Sequence, residues 1–218
     1  MRLCVYVDGF NLYYGALKRR KGTRWLDLVQ LSRRLFPADT IVGVDYFTAI
    51  VSHRASNPTQ QADQRLYIRA LQSRPEVTVH YGTYRANTKC RPIVQGQPGW
   101  TSQWPEFAEF HDSEEKGSDV NLATRLLVDG FRDRYEGAVV ISNDGDLKMP
   151  VEVIRSELDL PVTIVNPNPK RRSYALSPHP LPTNARYLAL SQADVRASQF
   201  PDRLTLPSGA VIKRPANW

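Results

Sequence analysis

Three short acidic motifs hold the side chains best suited to chemistry: Val7-Asp8-Gly9-Phe10-Asn11, Glu115-Lys116-Gly117-Ser118-Asp119 and Ser142-Asn143-Asp144-Gly145-Asp146. Carboxylates gathered in one place repel one another unless a cation lies among them, and the repulsion raises at least one proton affinity. Mg²⁺ or Mn²⁺ resolves that conflict. These hard ions prefer oxygen, take one or two carboxylates directly, and complete their shells with water and substrate phosphate. Such a site suits hydrolysis of a phosphodiester, since the ion polarises a phosphoryl oxygen, activates water and steadies the departing oxygen. Taken singly, each motif has a plainer reading. Asp8-Gly9 and Asp144-Gly145 are turn sequences, and Asp119 suits the dipole at a helix start. Asn11 equally suits helix capping, and Lys116 a solvated surface. Separate segments that supply acids at comparable places point instead to a common purpose.

Those places follow from the hydrophobic pattern. Leu3 to Val7 reads as a buried strand ending at Asp8-Gly9, followed by a helix from Phe10 to about Arg20 with Leu12, Tyr13, Ala16 and Leu17 at helical spacing. A second helix is expected from Leu26 to Leu35, closed by Pro37, then a strand within Ile41 to Val51, a helix from Thr59 to Ser73 and a strand from Val77 to Gly82. After an interruption come a helix from Ser118 to Arg132, a strand from Gly137 to Ile141, a helix from Asp144 to Leu158 and a strand from Val162 to Val165. This alternation predicts an α/β fold with helices covering a mostly parallel sheet. In such sheets functional groups collect beyond the carboxyl ends of the strands, where Asp8, Asp144 and Asp146 fall. The Glu115 to Asp119 motif is expected to open a helix.

Two stretches depart from the rhythm. Residues 86–112, rich in Pro, Gly, Gln and Trp, read as an inserted loop or hairpin whose Trp100 and Trp104 either stack on bases or cover the insertion's own small core. Beyond Val165, Pro167 to Pro182 reads as a surface connector, leading to Tyr187–Leu190, a Ser191-capped helix up to about Phe200, and a hairpin turning at Pro207-Ser208-Gly209. The expected division is one domain over 1–165 carrying the insertion, with 166–218 as a C-terminal extension packed on it.

Composition agrees with a folded chain: 218 residues, 41% hydrophobic, are enough for one substantial core. The 29 Lys and Arg against 22 Asp and Glu give a formal charge of +7, which favours polyanionic partners without proving them. Lys18-Arg19-Arg20 and Lys170-Arg171-Arg172 are candidate contacts to an RNA backbone, with solvated faces as the plainer reading. No run reaches transmembrane length, and Leu3 to Val7 is too short for a signal peptide. Cys4 and Cys90 form no framework and no metal-ligand spacing with histidine, so a reducing, cytoplasmic setting is expected. His53, His80, His111 and His179 are scattered, and none is expected to bind metal.

Val-Asp-Gly-x-Asn, Lys-Gly-x-Asp and Ser-x-Asp-x-Asp, in that order over residues 2 to 165, resemble the signatures of the NYN-domain family of PIN-like nucleases. The resemblance implies a PIN-like three-layer α/β/α fold and a metal-dependent endoribonuclease acting on single-stranded or structured RNA. Carried over by position, it makes Asp8, Asp119, Asp144 and Asp146 the acidic cluster for Mg²⁺ or Mn²⁺. Asn11 would brace the first motif and touch water or phosphate. Lys116 would attract the scissile phosphate or orient a carboxylate, and Ser142 would support the Asp144 loop through its hydroxyl. A non-catalytic RNA-binding or regulatory module and a DNA-directed or structure-specific nuclease remain open, as do a homo-oligomer and a regulatory protein partner; no membrane partner is expected. A haloacid-dehalogenase-type phosphatase is disfavoured, because Asp8-Gly9-Phe10 lacks the second Asp two residues on. The insertion and the extension exceed a minimal domain of this kind, so substrate entry is expected to differ there.

Overall fold

Along the chain run β1 (Arg2–Asp8), α1 (Gly9–Leu12), α2 (Leu28–Leu35), β2 (Thr40–Thr48), α3 (Gln60–Leu71), β3 (Val77–Tyr81), β4 (Thr83–Pro92), β5 (Phe107–Lys116) and α4 (Ser118–Phe131). They are followed by β6 (Gly137–Ile141), α5 (Lys148–Glu157), β7 (Val162–Asn166), β8 (Ala185–Ala189), α6 (Gln192–Ala197), β9 (Arg203–Thr205) and β10 (Val211–Lys213). This computed structural model describes all residues except 53–56, 97, 102 and 179, together with the side chains of all those described except 85, 86 and 111–114. His53, His179 and the His111 side chain therefore lie outside the described residues.

Six strands form one parallel sheet in the order β3-β2-β1-β6-β7-β8. The order reverses at β1, whose neighbours are β2 and β6, so the crevice above the carboxyl ends of β1 and β6 is the natural ligand position of the sheet. Alternation along β1 separates two cores. Leu3, Val5 and Val7 pack with residues of α2, α3 and α6, including Leu28, Leu31, Leu71 and Val195. Cys4 and Tyr6 face the other way, toward Leu122 and Leu126 of α4 and Val151 and Ile154 of α5. Helices thus cover both faces, giving the three-layer α/β/α arrangement expected. Each fully buried Leu or Val is worth roughly 1.5–3 kcal/mol by transfer, and this fixes which face each strand presents. Among the described residues no helix is long and apolar enough to cross a membrane.

Several expected elements come out differently. The helix predicted to Arg20 is a short α1 that loosens into a π turn, Tyr13–Leu17, with Lys18 N–H donating to Tyr13 O at 2.8 Å. Arg20 does not continue it but caps it from outside, Nη1 donating to Ala16 O at 2.9 Å. The helix predicted from Asp144 begins as a 3-10 turn, Gly145–Leu147, before α5. The interruption is a hairpin, β4 pairing antiparallel with β5 from Thr83↔Lys116 to Pro92↔Phe107, wider than the 86–112 expected. Its strands carry Arg85, Lys89, Glu109 and Glu114 and lack the apolar alternation that announces a half-buried strand. Glu115 and Lys116 therefore end a strand instead of opening a helix. Gly117, at φ +92°, makes the turn into α4 in a conformation that favours glycine.

The region after Val165 contributes a sixth sheet strand, β8, in register with β7 from Val162↔Ala185 to Asn166↔Ala189. Ser191 caps α6 as expected, its Oγ accepting from Asp194 N–H at 3.0 Å. The hairpin at Pro207-Ser208-Gly209 joins β9 to β10, and Ile212 and Trp218 pack onto the first core.

Candidate metal centre

β1 ends in Asp8, whose side chain caps α1: Oδ1 accepts from Asn11 N–H at 2.9 Å, and Oδ2 accepts from Ser142 Oγ–H at 2.9 Å. Gly9 has to follow, because a Cβ there would lie 2.7 Å from both Phe47 O and Tyr46 Oη. At the end of β6 the buried Ser142 hydroxyl accepts from Asp144 N–H at 3.1 Å, and Asp144 Oδ1 accepts from Asp146 N–H at 3.1 Å. The Asn11 side-chain Oδ1 reaches across to accept from Asn143 N–H at 3.0 Å, so the first and third motifs are tied to each other directly. Asp119 comes from the first turn of α4. That turn is held by Glu115, whose Oε1 accepts from Ser118 N–H at 2.8 Å and Ser118 Oγ–H at 2.6 Å.

Carboxylate oxygens of Asp8, Asp119 and Asp144 lie within 4.8 Å of one another. Burial, with the charges of Asp119 and Asp144 added, pushes the Asp8 carboxyl up to about 6 against the Asn11 and Ser142 bonds that favour ionisation. Burial likewise pushes Asp119 up to about 6, helped by the charges of Asp144, Glu115 and Asp146. None of the three has an ion-pair partner among the described residues.

A second acid group provides the contrast. Cys4, Asp45 and Asp129 also bring potential ligand atoms within 4.8 Å, but Arg134 Nη1 sits between the acids at 2.9 Å from Asp45 and 2.5 Å from Asp129. Burial pushes the Asp45 carboxyl up, yet the His80 bond at 2.6 Å and the Arg134 charge hold it below the usual carboxylate range. Burial and Asp45 push the Cys4 thiol up to about 12. That group is neutralised by protein cations, whereas the trio beyond the strand ends has no ion-pair partner among the described residues and offers hard oxygen donors. The trio fits a divalent ion.

The trio opens into a cleft of about 620 Å³ whose wall also includes Phe10, Asn11, Glu115, Asn143 and Arg171. Asn143 pins the far rim: its Nδ2 donates to Arg171 O at 2.9 Å, and its Oδ1 accepts from Ser173 N–H at 2.9 Å. Arg171 and Arg172 both line the cleft. The Arg172 guanidinium is held by Ser177 Oγ at 2.7 Å and lies 4.8 Å over the Tyr187 ring. Arg171 has no side-chain hydrogen bond or ion pair among the described residues.

Other expected residues fall elsewhere. Asp146 is exposed and stands outside the trio, near enough only for its charge to act on Asp119. Lys116 is exposed at the end of β5 and is not part of the cleft wall. Lys18 lies 4.5 Å over the Tyr14 ring, Arg20 caps the π turn, and neither Arg19 nor Lys170 lines the cleft. Trp104, in the hairpin's connection, is 46% exposed, and neither it nor Trp100 reaches the cleft wall. Glu115 and Asn143 join the site without having been expected there, although both lie inside the acidic motifs and Asn143 stands between Ser142 and Asp144.

A family model described as the NYN domain matches residues 2–177. A 6-hydroxy-3-succinoylpyridine 3-monooxygenase from Pseudomonas putida is 25% identical over 240 residues, covering all of this chain and 75% of the relative. A crystal structure of a protein of unknown function from Vibrio parahaemolyticus superposes with a TM-score of 0.53 at 18% identity, covering 88% of this chain and 93% of that one, a likeness of fold.

Proposed function

This chain belongs to the NYN-domain family, and from that premise we propose that it is a metal-dependent endoribonuclease that hydrolyses RNA phosphodiester bonds in the acidic cleft. The observation that carries the reading is the meeting of Asp8, Asp119 and Asp144 within 4.8 Å at the sheet's switch point, with no protein cation compensating them among the described residues. The family's nuclease-like fold and its general use of divalent metals agree with it.

Asp8, Asp119 and Asp144 would hold Mg²⁺ or Mn²⁺, and Asp146 would add charge from outside. A cation bound there supplies Lewis acidity toward a phosphate and lowers the proton affinity of water. The chain's own residues do the positioning. Asn11 and Ser142 orient the Asp8 carboxylate from opposite sides, and Asn11 holds the Asn143 backbone so that Asp144 faces the same point. Glu115 fixes the turn that presents Asp119. Arg171, pinned through its carbonyl by Asn143 and Asn166, offers a guanidinium to an RNA phosphate entering over the rim. Lys116 would act only as a more distant attraction. The unpaired Cys4 and Cys90 suit a reducing cytoplasm.

The test is cleavage of matched, labelled RNA and DNA oligonucleotides with Mg²⁺, Mn²⁺ or EDTA, by wild type and Asp8→Asn. RNA products that need metal and Asp8 support the reading; RNA binding with no metal-dependent product favours a regulatory module, and DNA products a DNA-directed nuclease. A second reading rests on the pyridine monooxygenase relative together with an aromatic cavity beside the acids. It makes the protein an oxygenase of a small heteroaromatic acid, and hydroxylation of a hydroxypyridine acid with O₂ and a two-electron reductant would establish it.

A further inference from the structure

Next to the acidic cleft lies a more enclosed cavity of about 130 Å³ walled by Phe10, Tyr13, Tyr14, Tyr46, Tyr67 and Trp218. Phe10 and Tyr14 belong to both walls, so the two spaces adjoin and one molecule can reach from one into the other over these rings. The π turn produces this division. Phe10, Tyr13, Tyr14 and Leu17 face the cavity, while Asn11 and Gly15 of the same segment face the acids. π turns of this kind recur at functional sites because the extra residue re-aims neighbouring side chains.

The shape and chemistry select a ligand. A sealed apolar cavity of about 150 Å³ binds benzene, so this partly open space of about 130 Å³ suits one six-membered ring better than a fused pair. Aromatic faces bind planar bases by stacking, and Tyr14 is 56% exposed where the two spaces meet. The polar lining is specific. Gln64 is committed to the fold, accepting from Val51 N–H at 2.9 Å and donating to Ala49 O at 2.9 Å. Gln60 also lines the cavity, and its side-chain amide makes no hydrogen bond among the described residues. An amide carries both donors and an acceptor, so it can meet the edge of uracil or of cytosine.

We propose that this cavity is a base-binding subsite that takes the pyrimidine of a nucleotide whose phosphate lies at Asp8, Asp119 and Asp144, and that it gives the enzyme a preference for pyrimidines beside the cut. The proposal rests on the nuclease reading for its phosphate and adds to it the identity of the neighbouring base.

The experiment titrates the full chain in Mg²⁺ with 3′-UMP, 3′-CMP, 3′-AMP and uridine by calorimetry, and maps cuts in RNA oligonucleotides carrying one pyrimidine in a purine run. The pyrimidine nucleotides are expected to bind at least tenfold tighter than 3′-AMP and tighter than uridine, with cuts next to the pyrimidine. Gln60→Ala and Tyr14→Ala each lower 3′-UMP affinity about tenfold while leaving the Mg²⁺-induced rise in Tm as in wild type, which shows that fold and acids are intact. Equal affinity for 3′-AMP and 3′-UMP, or unchanged 3′-UMP affinity in both variants, overturns the subsite. Cleavage without base preference and without 3′-UMP binding likewise overturns it and leaves the nuclease standing. Selective 3′-UMP binding that both variants lose, with no oligonucleotide cut, supports the base site and removes the nuclease reading.

Discussion

Replacing Asp8 with asparagine should stabilise the metal-free protein while destroying its activity. Asp8 is only 5% exposed, and its carboxyl is pushed from 3.8 up to about 6. At about 1.36 kcal/mol per pH unit, keeping that group ionised in the fold costs about 3 kcal/mol at neutral pH. As pH falls through about 6, the folded carboxyl takes up a proton while the unfolded one stays charged until near 3.8, so metal-free stability rises over that window. Asparagine is close in shape to the protonated acid and can keep an oxygen toward Asn11 N–H. In EDTA at pH 7.5, Asp8→Asn should therefore exceed wild type by about 1–3 kcal/mol, or roughly 2–12 °C in Tm. At pH 4.5 the gap should shrink below about 1 kcal/mol. Saturating Mg²⁺ reverses the comparison: at a hundred times Kd it adds about 2.7 kcal/mol to wild type and little to the variant. Urea melts at both pH values, with EDTA and with Mg²⁺, read all of this. A variant no more stable than wild type at pH 7.5 in EDTA, or one that gains as much from Mg²⁺, would refute the reasoning.

Asp144→Asn should abolish metal-dependent cleavage with circular dichroism unchanged; retained turnover would remove Asp144 from the cation. Asn11→Ala keeps the backbone cap on Asp8 but strands Asn143 N–H, so cleavage should fall about tenfold, consistent with roughly 1–3 kcal/mol for an unsatisfied donor, while the Mg²⁺ shift in Tm persists. Arg134→Ala removes the guanidinium bonded to both buried acids, Asp45 and Asp129, leaving them Arg125 at 3.8 and 3.1 Å, and should cost up to about 3 kcal/mol, seen as a lower urea midpoint at constant m-value. Gly9→Ala should cost about 1–3 kcal/mol by forcing a methyl against Phe47 O and the Tyr46 ring, with activity lost as Asp8 shifts.

The sheet was legible because its strands announce themselves locally. Gly137–Ile141 is a continuous apolar run and Val162–Val165 is broken only by the β-branched Thr163, as suits strands covered on both faces. Asp8 and Asp144 were legible because acids follow directly on strand patterns, and Asp119 because it stands at a helix start. Residues 86–112 were legible only as a loop or hairpin, and the extent of β4 and β5 was not, since a hairpin standing off the core pairs through its backbone and needs no apolar alternation. β8 hid behind a proline-rich connector: its pattern, Ala185-Arg186-Tyr187-Leu188-Ala189, is that of a sheet edge and shows itself only beside β7. Side-chain direction was hidden throughout. Lys116 and Asp146 sit in the right motifs but project outward, and Arg20 turns back onto its own helix, choices made by packing.

The tie between Asn143 and the Arg171 carbonyl has a consequence for biosynthesis. Asp8 is translated early, Asp144 late, and the strap that steadies the Asp144 loop later still. A growing polypeptide on the ribosome therefore cannot assemble the acidic trio with its strap until most of its length has emerged, so the centre is among the last parts of the fold to close.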